Sequence, residues 1–324
     1  MCAKTSAQSL SATGKMMVHE EGDELTARFA ALMACVRHQN GDMRPLVQQK
    51  ILIDQLRNAL DRAASGMEPM VDSGEPGFIA GTFAVENRLY RGAHFDVLKL
   101  RHRDLASLHV LKTLRQDQPI APSRAALLRR EAEIGLCFRD PHLVETTALL
   151  RLADGRPAIL QPWRGEPLSS RLTELSADRP LDVSSITVML SELLLALHRL
   201  HQHGYVHCDV KPSNIFLSPG AAPHLSLGDF GIALKMGETH AALELKAAYS
   251  QEYCAPEQAP DRPAHPTMDI YSAGRVLQHL LMAANQPIAD ELTQFANELC
   301  AQNPADRPQS AEIALAELKR IVVC

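Results

Sequence analysis

The spacing of apolar residues divides the chain into a helical beginning, a strand-rich middle and a helical end. Apolar residues recur every three or four positions through residues 23–66, which predicts two helices separated near Gly41. Residues 1–22 are small and polar and predict a disordered tail, whereas glycine and proline are frequent in residues 67–80 and predict a linker. The main folded domain is therefore expected at residues 81–324.

Short strand-like runs follow the linker and give way to longer helical patterns. Five such runs occur, at about 83–90, 95–101, 106–113, 143–151 and 156–161. One helix is predicted at about 123–137, and a long amphipathic helix at about 183–203 ends at Gly204. Strands first and helices afterwards predict an α+β fold with two lobes of unequal size.

Composition narrows the classes of function. The chain has 324 residues, of which 46% are hydrophobic, and this is enough for a sizeable core. Its net charge of −5 lacks the basic excess that nucleic-acid binding usually requires. The seven cysteines form no CxxC pair and predict reduced thiols in a cytoplasmic protein. Because no run of 18 apolar residues occurs, no membrane span is expected.

The loop after Gly204 carries an acid, a lysine and an amide in close succession, as phosphoryl transfer requires. Asp209 is suited to accept the proton of an attacking hydroxyl. Lys211 is suited to balance charge on the phosphoryl group that moves. Asn214 offers a side-chain oxygen of the kind that binds magnesium.

A second acid follows in the tripeptide Asp-Phe-Gly at 229–231. Residues 215–217 and 225–227 flank a turn signal and predict a hairpin. The hairpin would return Asp229 toward Asn214, so these two side chains are expected to share one metal ion.

Together with segments nearer the C-terminus, these residues resemble the ordered motifs of eukaryotic-type (Hanks-type) protein kinases. That family shows HRDxKPxN, DFG and APE in this order. The corresponding segments here are His207-Cys208-Asp209, Asp229-Phe230-Gly231, Ala255-Pro256-Glu257 and Asp269-Ile270-Tyr271-Ser272-Ala273-Gly274, followed by Arg307. The resemblance, which is strongest to bacterial members, implies a bilobal protein-kinase fold. An antiparallel β-sheet N-lobe with helix C at 81–161, a hinge at 161–165 and a mostly helical C-lobe at 166–324 are expected, after a helical N-terminal extension.

The resemblance also implies a site for ATP and Mg²⁺. Lys112 would hold the α- and β-phosphates and pair with a glutamate of helix C. Two candidates exist for this glutamate, and the family spacing favours Glu131 over Glu133. The further ATP contacts that the resemblance implies outside the hinge are Gly92, Val97, Val110 and Phe216.

At the hinge, the family pattern implies Leu160 as the gatekeeper residue. The Gln161 carbonyl and the Trp163 amide would then bond adenine. Pro162 lies between them and lacks an N–H, but the pattern requires no donor there.

In the C-lobe, the resemblance assigns supporting roles. Ser250 takes the position of a threonine that contacts Asp209 and Lys211. Lys211 itself marks the serine/threonine branch of the family. The other residues with structural or activation roles are Phe230, Gly231, Glu257, Asp269 and Arg307, with Arg307 expected to pair with Glu257.

Three positions depart from the family pattern. Only Gly92 survives of the glycine-rich loop, which predicts weaker ATP binding than in a typical member. Cys208 replaces an arginine that often reads a phosphate on the activation loop, so activity independent of that phosphate is expected. Gly135 replaces a large apolar residue of helix C, which is expected to need support. The helices at 23–66 are candidates for this regulatory support, or they are a simple appendage.

Two alternatives to a protein serine/threonine kinase remain. A pseudokinase, which binds a nucleotide or a partner without catalysis, is favoured by the degraded glycine-rich loop. A small-molecule kinase of the aminoglycoside type would share the catalytic loop but lack the APE and DxYSxG segments, which build a platform for a protein substrate. Both segments are present, so the expected partner is a protein with serine or threonine hydroxyls.

Overall fold

A computed structural model of the chain describes residues 27–28, 30–39, 41–45, 49, 52, 78–79, 81–174, 181–220, 223–243, 249–284 and 287–323. The chain divides into two compact units. The smaller holds the residues before Ser73 together with Ala153–Gly155, and the larger holds the remainder.

In the smaller unit, residues 30–37 are helical and lead into a short hairpin of β1 (His38–Gln39) and β2 (Asp42–Met43). Gly41 lies between these strands with φ +92°, a conformation that glycine adopts readily. The first predicted helix therefore ends at residue 37, before Gly41, because the tight turn at this glycine pairs the residues on either side. The predicted tail at 1–22 and most of the second predicted helix lie outside the described residues.

The smaller lobe of the larger unit is built on a six-stranded antiparallel sheet, with the strands in the spatial order β3-β4-β5-β6-β8-β7. The strands are β3 (Phe78–Ile79), β4 (Phe83–Arg91), β5 (Phe95–His102), β6 (Leu108–Leu114), β7 (Ala148–Arg151) and β8 (Pro157–Pro162). β3 lies in the range that the sequence predicted to be a linker. A strand forms there because its two apolar residues pair with β4 across a turn at Gly81. The folded domain thus begins before residue 81.

Helix α1 (Pro122–Leu136) covers one face of this sheet. Leu128 and Ala132 of the helix pack on Ile159 of β8. A second apolar cluster is formed by residues that alternate with these along the strands. Its buried members are Leu100, Leu111, Ala158 and Leu160. Since side chains alternate between the two faces of a strand, neighbouring residues of β8 serve different clusters.

The larger lobe is mostly helical. Its helices are α2 (Leu168–Glu174), α3 (Val183–Gln202), α4 (Pro266–Met282), α5 (Asp290–Leu299) and α6 (Ala311–Val323). Its strands are β9 (Glu166–Pro167), β10 (Tyr205–Val206), β11 (Ile215–Leu217), β12 (Leu225–Leu227) and β13 (Leu234–Lys235). The predicted hairpin is confirmed as β11 paired with β12, and β9 adds to the other edge of β11. The bilobal α+β plan expected from the sequence is present.

Helix α3 is the central element of the larger lobe. Asp182 caps its first turn by accepting a hydrogen bond of 2.8 Å from the Ser185 amide. In the described part of the chain, it is also the one helix long and apolar enough to cross a membrane by length and composition. Half of that apolar window is buried inside the domain, and residues such as Leu193, Leu197 and Leu200 belong to the main core. A core helix accounts for this composition.

Gly135 lies where α1 is approached by the chain that returns toward β7. The Thr146 amide donates a 3.0 Å hydrogen bond to the Gly135 carbonyl. A Cβ added at Gly135 would lie 2.2 Å from Thr146 Oγ1, so no larger residue fits there without movement. Three residues further along the chain, the Phe138 ring packs against Phe230, with ring centroids 5.0 Å apart.

Replacing Gly135 by alanine is expected to lower the free energy of unfolding by about 1–3 kcal/mol, the usual cost of overpacking. This holds although alanine is the better helix former by roughly 1 kcal/mol. Urea unfolding of Gly135→Ala, Thr146→Ala and the double variant measures the effect. The double variant should lose less stability than the sum of the single losses. Strict additivity would show that Thr146 is not what excludes a side chain at Gly135.

Candidate active site

A cleft of about 610 Å³ lies between the two lobes, a volume suited to a small-molecule ligand. The sheet, helix α1 and the β11–β12 hairpin all contribute to its walls. The residues singled out by the sequence that line it are Gly92, Val97, Val110, Lys112, Glu131, Gln161, Trp163, Lys211, Asn214, Phe216 and Asp229.

Lys112 of β6 joins both lobes in this cleft. Its Nζ lies 2.9 Å from Glu131 Oε1 on α1 and 2.8 Å from Asp229 Oδ1 in the larger lobe. The choice of Glu131 over Glu133 is confirmed by this contact, since Glu133 is exposed on the same helix. The pair is well shielded, because the Glu131 side chain is only 5% exposed.

Two carboxylates share this one ammonium group, and their pKa values diverge as a result. Burial would lower the pKa of Lys112, but the charges of Asp229 and Glu131 outweigh it and raise that pKa. Burial raises the pKa of Glu131 to about 7, against the opposing effect of Lys112. Partial desolvation in the cleft would also raise the pKa of Asp229, whose side chain is 44% exposed, yet Lys112 lowers it to about 2. At neutral pH, Lys112 and Asp229 therefore form the firmer ion pair.

A hydrogen-bond cluster surrounds the Asp209 carboxylate. Lys211 Nζ lies 2.7 Å from Asp209 Oδ2, and Ser250 Oγ donates to Asp209 Oδ1 at 3.0 Å. Lys211 also donates to Ser250 Oγ at 2.9 Å, so the contact expected of Ser250 with both residues is present. Asn214 Nδ2 donates to Asp209 Oδ2 at 3.1 Å and to the Asp209 carbonyl at 2.9 Å. The carboxylate is thus held from three sides.

Asp269 fixes the backbone that carries Asp209. Its fully buried carboxylate accepts hydrogen bonds from the amides of His207 (2.8 Å) and Cys208 (2.9 Å). Cys208 has φ +64°, a left-handed conformation that is costly for a residue with a side chain. The two hydrogen bonds, with a third from Gln258 Nε2 to the Cys208 carbonyl at 2.7 Å, hold this strained residue in place.

Gln258 and His201, which lies 2.9 Å from Asp269 Oδ2, were not singled out by the sequence. In the sequence, each of these two residues lies close to a motif. Proximity along the chain does not by itself identify a contact.

Cys208 itself is buried in an apolar cluster. Its side chain packs with Val206, Leu234 and Ala264, and the residue is 3% exposed. The position that holds an arginine in the family pattern is therefore apolar here. The expectation that activity needs no activation-loop phosphate stays a prediction.

The hinge differs from the sequence expectation by one residue. Leu160 pairs with Leu111 and belongs to the Leu100 cluster, so its side chain does not line the cleft. Gln161, which pairs with Val110, lines the cleft instead. The Trp163 amide donates to the Leu108 carbonyl at 3.1 Å. Leu160 as gatekeeper and the Trp163 amide as an adenine donor are therefore wrong, because β8 continues its pairing with β6 further than expected.

The side chain of Gln161 has an unusual environment. The residue is 9% exposed, and its buried Nε2 has no hydrogen-bond partner within the described structure. A buried amide without a partner costs free energy. Because Gln161 lines the cleft, a bound ligand is positioned to supply the missing acceptor.

The loop between β4 and β5 forms the roof of the cleft. The Gly92 amide donates to the Phe95 carbonyl at 2.9 Å and closes a tight turn. A Cβ at Gly92 would lie 2.8 Å from Cε1 of Tyr90, so a larger residue there would displace this exposed ring, which crosses the loop. Weaker ATP binding, expected from this degraded loop, stays a prediction.

Arg307 and Glu257 brace the larger lobe below the site. Arg307 Nη1 and Nη2 lie 2.7 Å and 2.9 Å from the two Glu257 oxygens, which is the bidentate pairing expected from the sequence. The Arg307 side chain is fully buried and also donates to the Thr267 carbonyl at 3.0 Å.

The fold and the arrangement of this cleft define the class of protein kinases. The model of the protein kinase domain family matches residues 83–288, and the chain belongs to this family.

The chain is similar to bacterial serine/threonine-protein kinases. It is 29% identical to Pkn1 of Myxococcus xanthus over 231 residues, which cover 69% of this chain and 32% of the relative. It is 28% identical to PknB of Mycolicibacterium smegmatis over 227 residues, which cover 68% of this chain and 35% of the relative. The chain thus matches about a third of the length of these relatives. The predicted resemblance to bacterial members is confirmed.

The solved kinase domain of PknI from Mycobacterium tuberculosis has the same fold. The TM-score is 0.57, with 21% identity over 76% of this chain and 99% of the solved domain. This likeness confirms the predicted bilobal α+β kinase fold.

Glu131 is expected to make folding less favourable as the pH rises from 4.5 to about 7. A carboxyl whose pKa is higher in the folded chain than in the unfolded chain loses its proton less readily when folded, so stability falls over that window. The stability advantage of the wild type over Glu131→Gln should therefore be smaller at pH 8 than at pH 5, as measured by urea unfolding. The exposed Glu133→Gln should show no such trend. An advantage that grows with pH would contradict the assignment.

Proposed function

We propose that this chain is a serine/threonine protein kinase that transfers the γ-phosphoryl group of Mg-ATP to protein hydroxyls. The observation that supports this most strongly is that three side chains from distant parts of the chain line one cleft and a fourth is hydrogen-bonded to one of them. Lys112, Asn214 and Asp229 line that cleft, and Asn214 is hydrogen-bonded to Asp209. The similarity to named serine/threonine-protein kinases agrees with this reading.

The residues present fit a magnesium ion. Asn214 donates through Nδ2 to Asp209, which orients its amide and leaves Oδ1 as the ligand atom. The Asp229 side chain is 44% exposed, and the residue lines the cleft. Both offer the oxygen ligands that Mg²⁺ prefers. A bound Mg²⁺ would neutralise charge on the β- and γ-phosphates.

Asp209 is the proposed catalytic base. Lys211 and Ser250 hold its carboxylate, which would accept the proton of a protein hydroxyl. Lys211, at the same time, supplies positive charge where the phosphoryl group moves. This arrangement of Lys211 and Ser250 is the feature that the family pattern links to serine and threonine substrates.

Adenine is proposed to bind at the end of β8. Since backbone groups alternate between the two edges of a strand, the Trp163 amide directed at β6 implies that the Pro162 carbonyl faces the opposite edge. The Pro162 carbonyl and the Arg164 amide are then the hinge groups for the base. The Gln161 side chain completes the base site by donating its unpartnered Nε2–H to a purine acceptor, as glutamine does when it reads adenine.

Replacing Asp209 by asparagine is expected to lower phosphoryl transfer by about 10²- to 10⁴-fold, the range for loss of a general base. Transfer of radiolabelled phosphate from ATP to the chain itself and to a generic basic protein measures it. Asp209→Asn should still be stabilised by Mg-ATP in thermal unfolding, whereas Lys112→Met should lose both transfer and that stabilisation.

Glu133→Gln, an exposed change on α1, serves as the control with wild-type transfer. A wild-type chain that Mg-ATP stabilises but that transfers no phosphate would overturn the kinase proposal. That result would establish the pseudokinase alternative.

Gln161→Leu is expected to raise the KM for ATP by about 2- to 10-fold without changing kcat, the effect of losing one neutral hydrogen bond. In the absence of nucleotide the same variant should be at least as stable as the wild type, because it removes an unpartnered buried amide. Steady-state kinetics and thermal unfolding test the two parts. Leu160→Met, on the same strand but facing away from the cleft, should leave KM unchanged. An unchanged KM in Gln161→Leu would remove Gln161 from the base site.

A further inference from the structure

Three side chains with metal-binding atoms meet at a place that does not line the interlobe cleft. His142 lies in the connection between α1 and β7, Glu192 lies in the middle of α3, and His224 directly precedes β12. One ligand atom from each lies within 4.8 Å of the other two. Within the described residues, this is the one group of histidine, cysteine and acidic side chains so arranged.

The contacts of His224 indicate a cation between its ring and Glu192. Its Nε2 lies 3.1 Å from the Pro141 carbonyl, which can only accept a hydrogen bond, so Nε2 carries the proton of a neutral ring. Its Nδ1 then presents a lone pair, yet it lies 3.0 Å from Glu192 Oε1, another acceptor. Two acceptors at this distance repel unless a proton or a metal ion lies between them.

His142 distinguishes between these two cations. Its Nδ1 is buried and has no hydrogen-bond partner, although the ring centroid is 4.5 Å from that of His224. A second proton on His224 would satisfy Glu192 but would leave this nitrogen unpaired. A metal ion would engage one atom from each of the three side chains at once.

We propose that His142, Glu192 and His224 form a binding site for a divalent transition-metal ion of the zinc type. Two imidazoles and one carboxylate suit zinc rather than calcium or magnesium, and three protein ligands leave a fourth position open. A tetrahedral ion with bonds of about 2.0 Å holds its ligand atoms roughly 3.3 Å apart. Glu192 Oε1 and His224 Nδ1 are already close to this spacing at 3.0 Å, and one ligand atom of His142 lies within 4.8 Å of the other two residues' ligand atoms.

The ion would link the connection after α1 to helix α3 and strand β12 of the larger lobe. The His142 carbonyl accepts a 2.8 Å hydrogen bond from the Leu227 amide, and the Val144 amide donates to the Leu227 carbonyl at 2.8 Å. Glu192 Oε2 accepts from the Leu225 amide at 2.7 Å. The connection after α1, helix α3 and strand β12 therefore already meet here. An ion held by all three would tie this connection to the strand that leads to Asp229.

Titration of the metal-free full chain with Co²⁺, followed by displacement with Zn²⁺, tests the site without nucleotide or catalysis, so its outcome is independent of the kinase proposal. The wild type should bind one ion with tetrahedral cobalt absorption and without a thiolate charge-transfer band. That band would instead report binding to some of the seven cysteines.

His142→Asn is the decisive variant, because the His142 side chain forms no hydrogen bond in the structure and its loss should leave the fold intact. It should weaken binding by more than the roughly 10- to 100-fold that loss of an outer-shell partner costs. Glu192→Gln should act in the same direction, and Zn²⁺ should raise Tm in the wild type but in neither variant.

His279→Gln is the matched control, because His279 Nε2 lies 3.1 Å from Glu252 Oε1 in a second histidine–glutamate pair that lacks a third ligand. It should bind as the wild type does. Absence of binding, unchanged binding in His142→Asn, or a thiolate band would each overturn the proposal. The pair of His224 and Glu192 would then be an imidazolium–carboxylate pair held by a proton.

Discussion

The site depends on the two ion pairs that the Lys112 ammonium group makes. This group bonds Glu131 of helix α1 and Asp229 of the larger lobe, so it fixes the sheet, the helix and the interlobe cleft at one point. A charge this shielded from water is stable only while its partners remain in place, and removing one leaves a buried charge uncompensated. The geometry of the cleft and the packing of the two lobes are therefore linked through a single side chain.

The departures from the family pattern have local structural explanations. Gly135 is small because Thr146 occupies the space beside it, and the neighbouring Phe138 packs against Phe230. Cys208 keeps a strained backbone conformation through the hydrogen bonds that Asp269 accepts, while its side chain joins an apolar cluster. At both positions, contacts other than those of the family pattern support the catalytic loop.

The limits of sequence reasoning are visible in strand β8. The motifs correctly located Lys112 and its partner Glu131, because charge type and spacing identify both. They failed at the next step, where Leu160 rather than Gln161 was taken to face the cleft. A shift of one residue exchanges the two faces of a strand. Residues 157–160 of this strand are all apolar, so no alternation of polar and apolar residues marked which face lines the cleft.

The sequence by itself determined which chemical groups the site contains, their order along the chain, and the boundaries of elements such as the β11–β12 hairpin. These follow from residue type and local periodicity. Tertiary structure alone decided that the Trp163 amide is used by Leu108 and that His142, Glu192 and His224 meet. Strand register and the packing of segments distant in sequence set such contacts, and neither is encoded in the spacing of neighbouring residues.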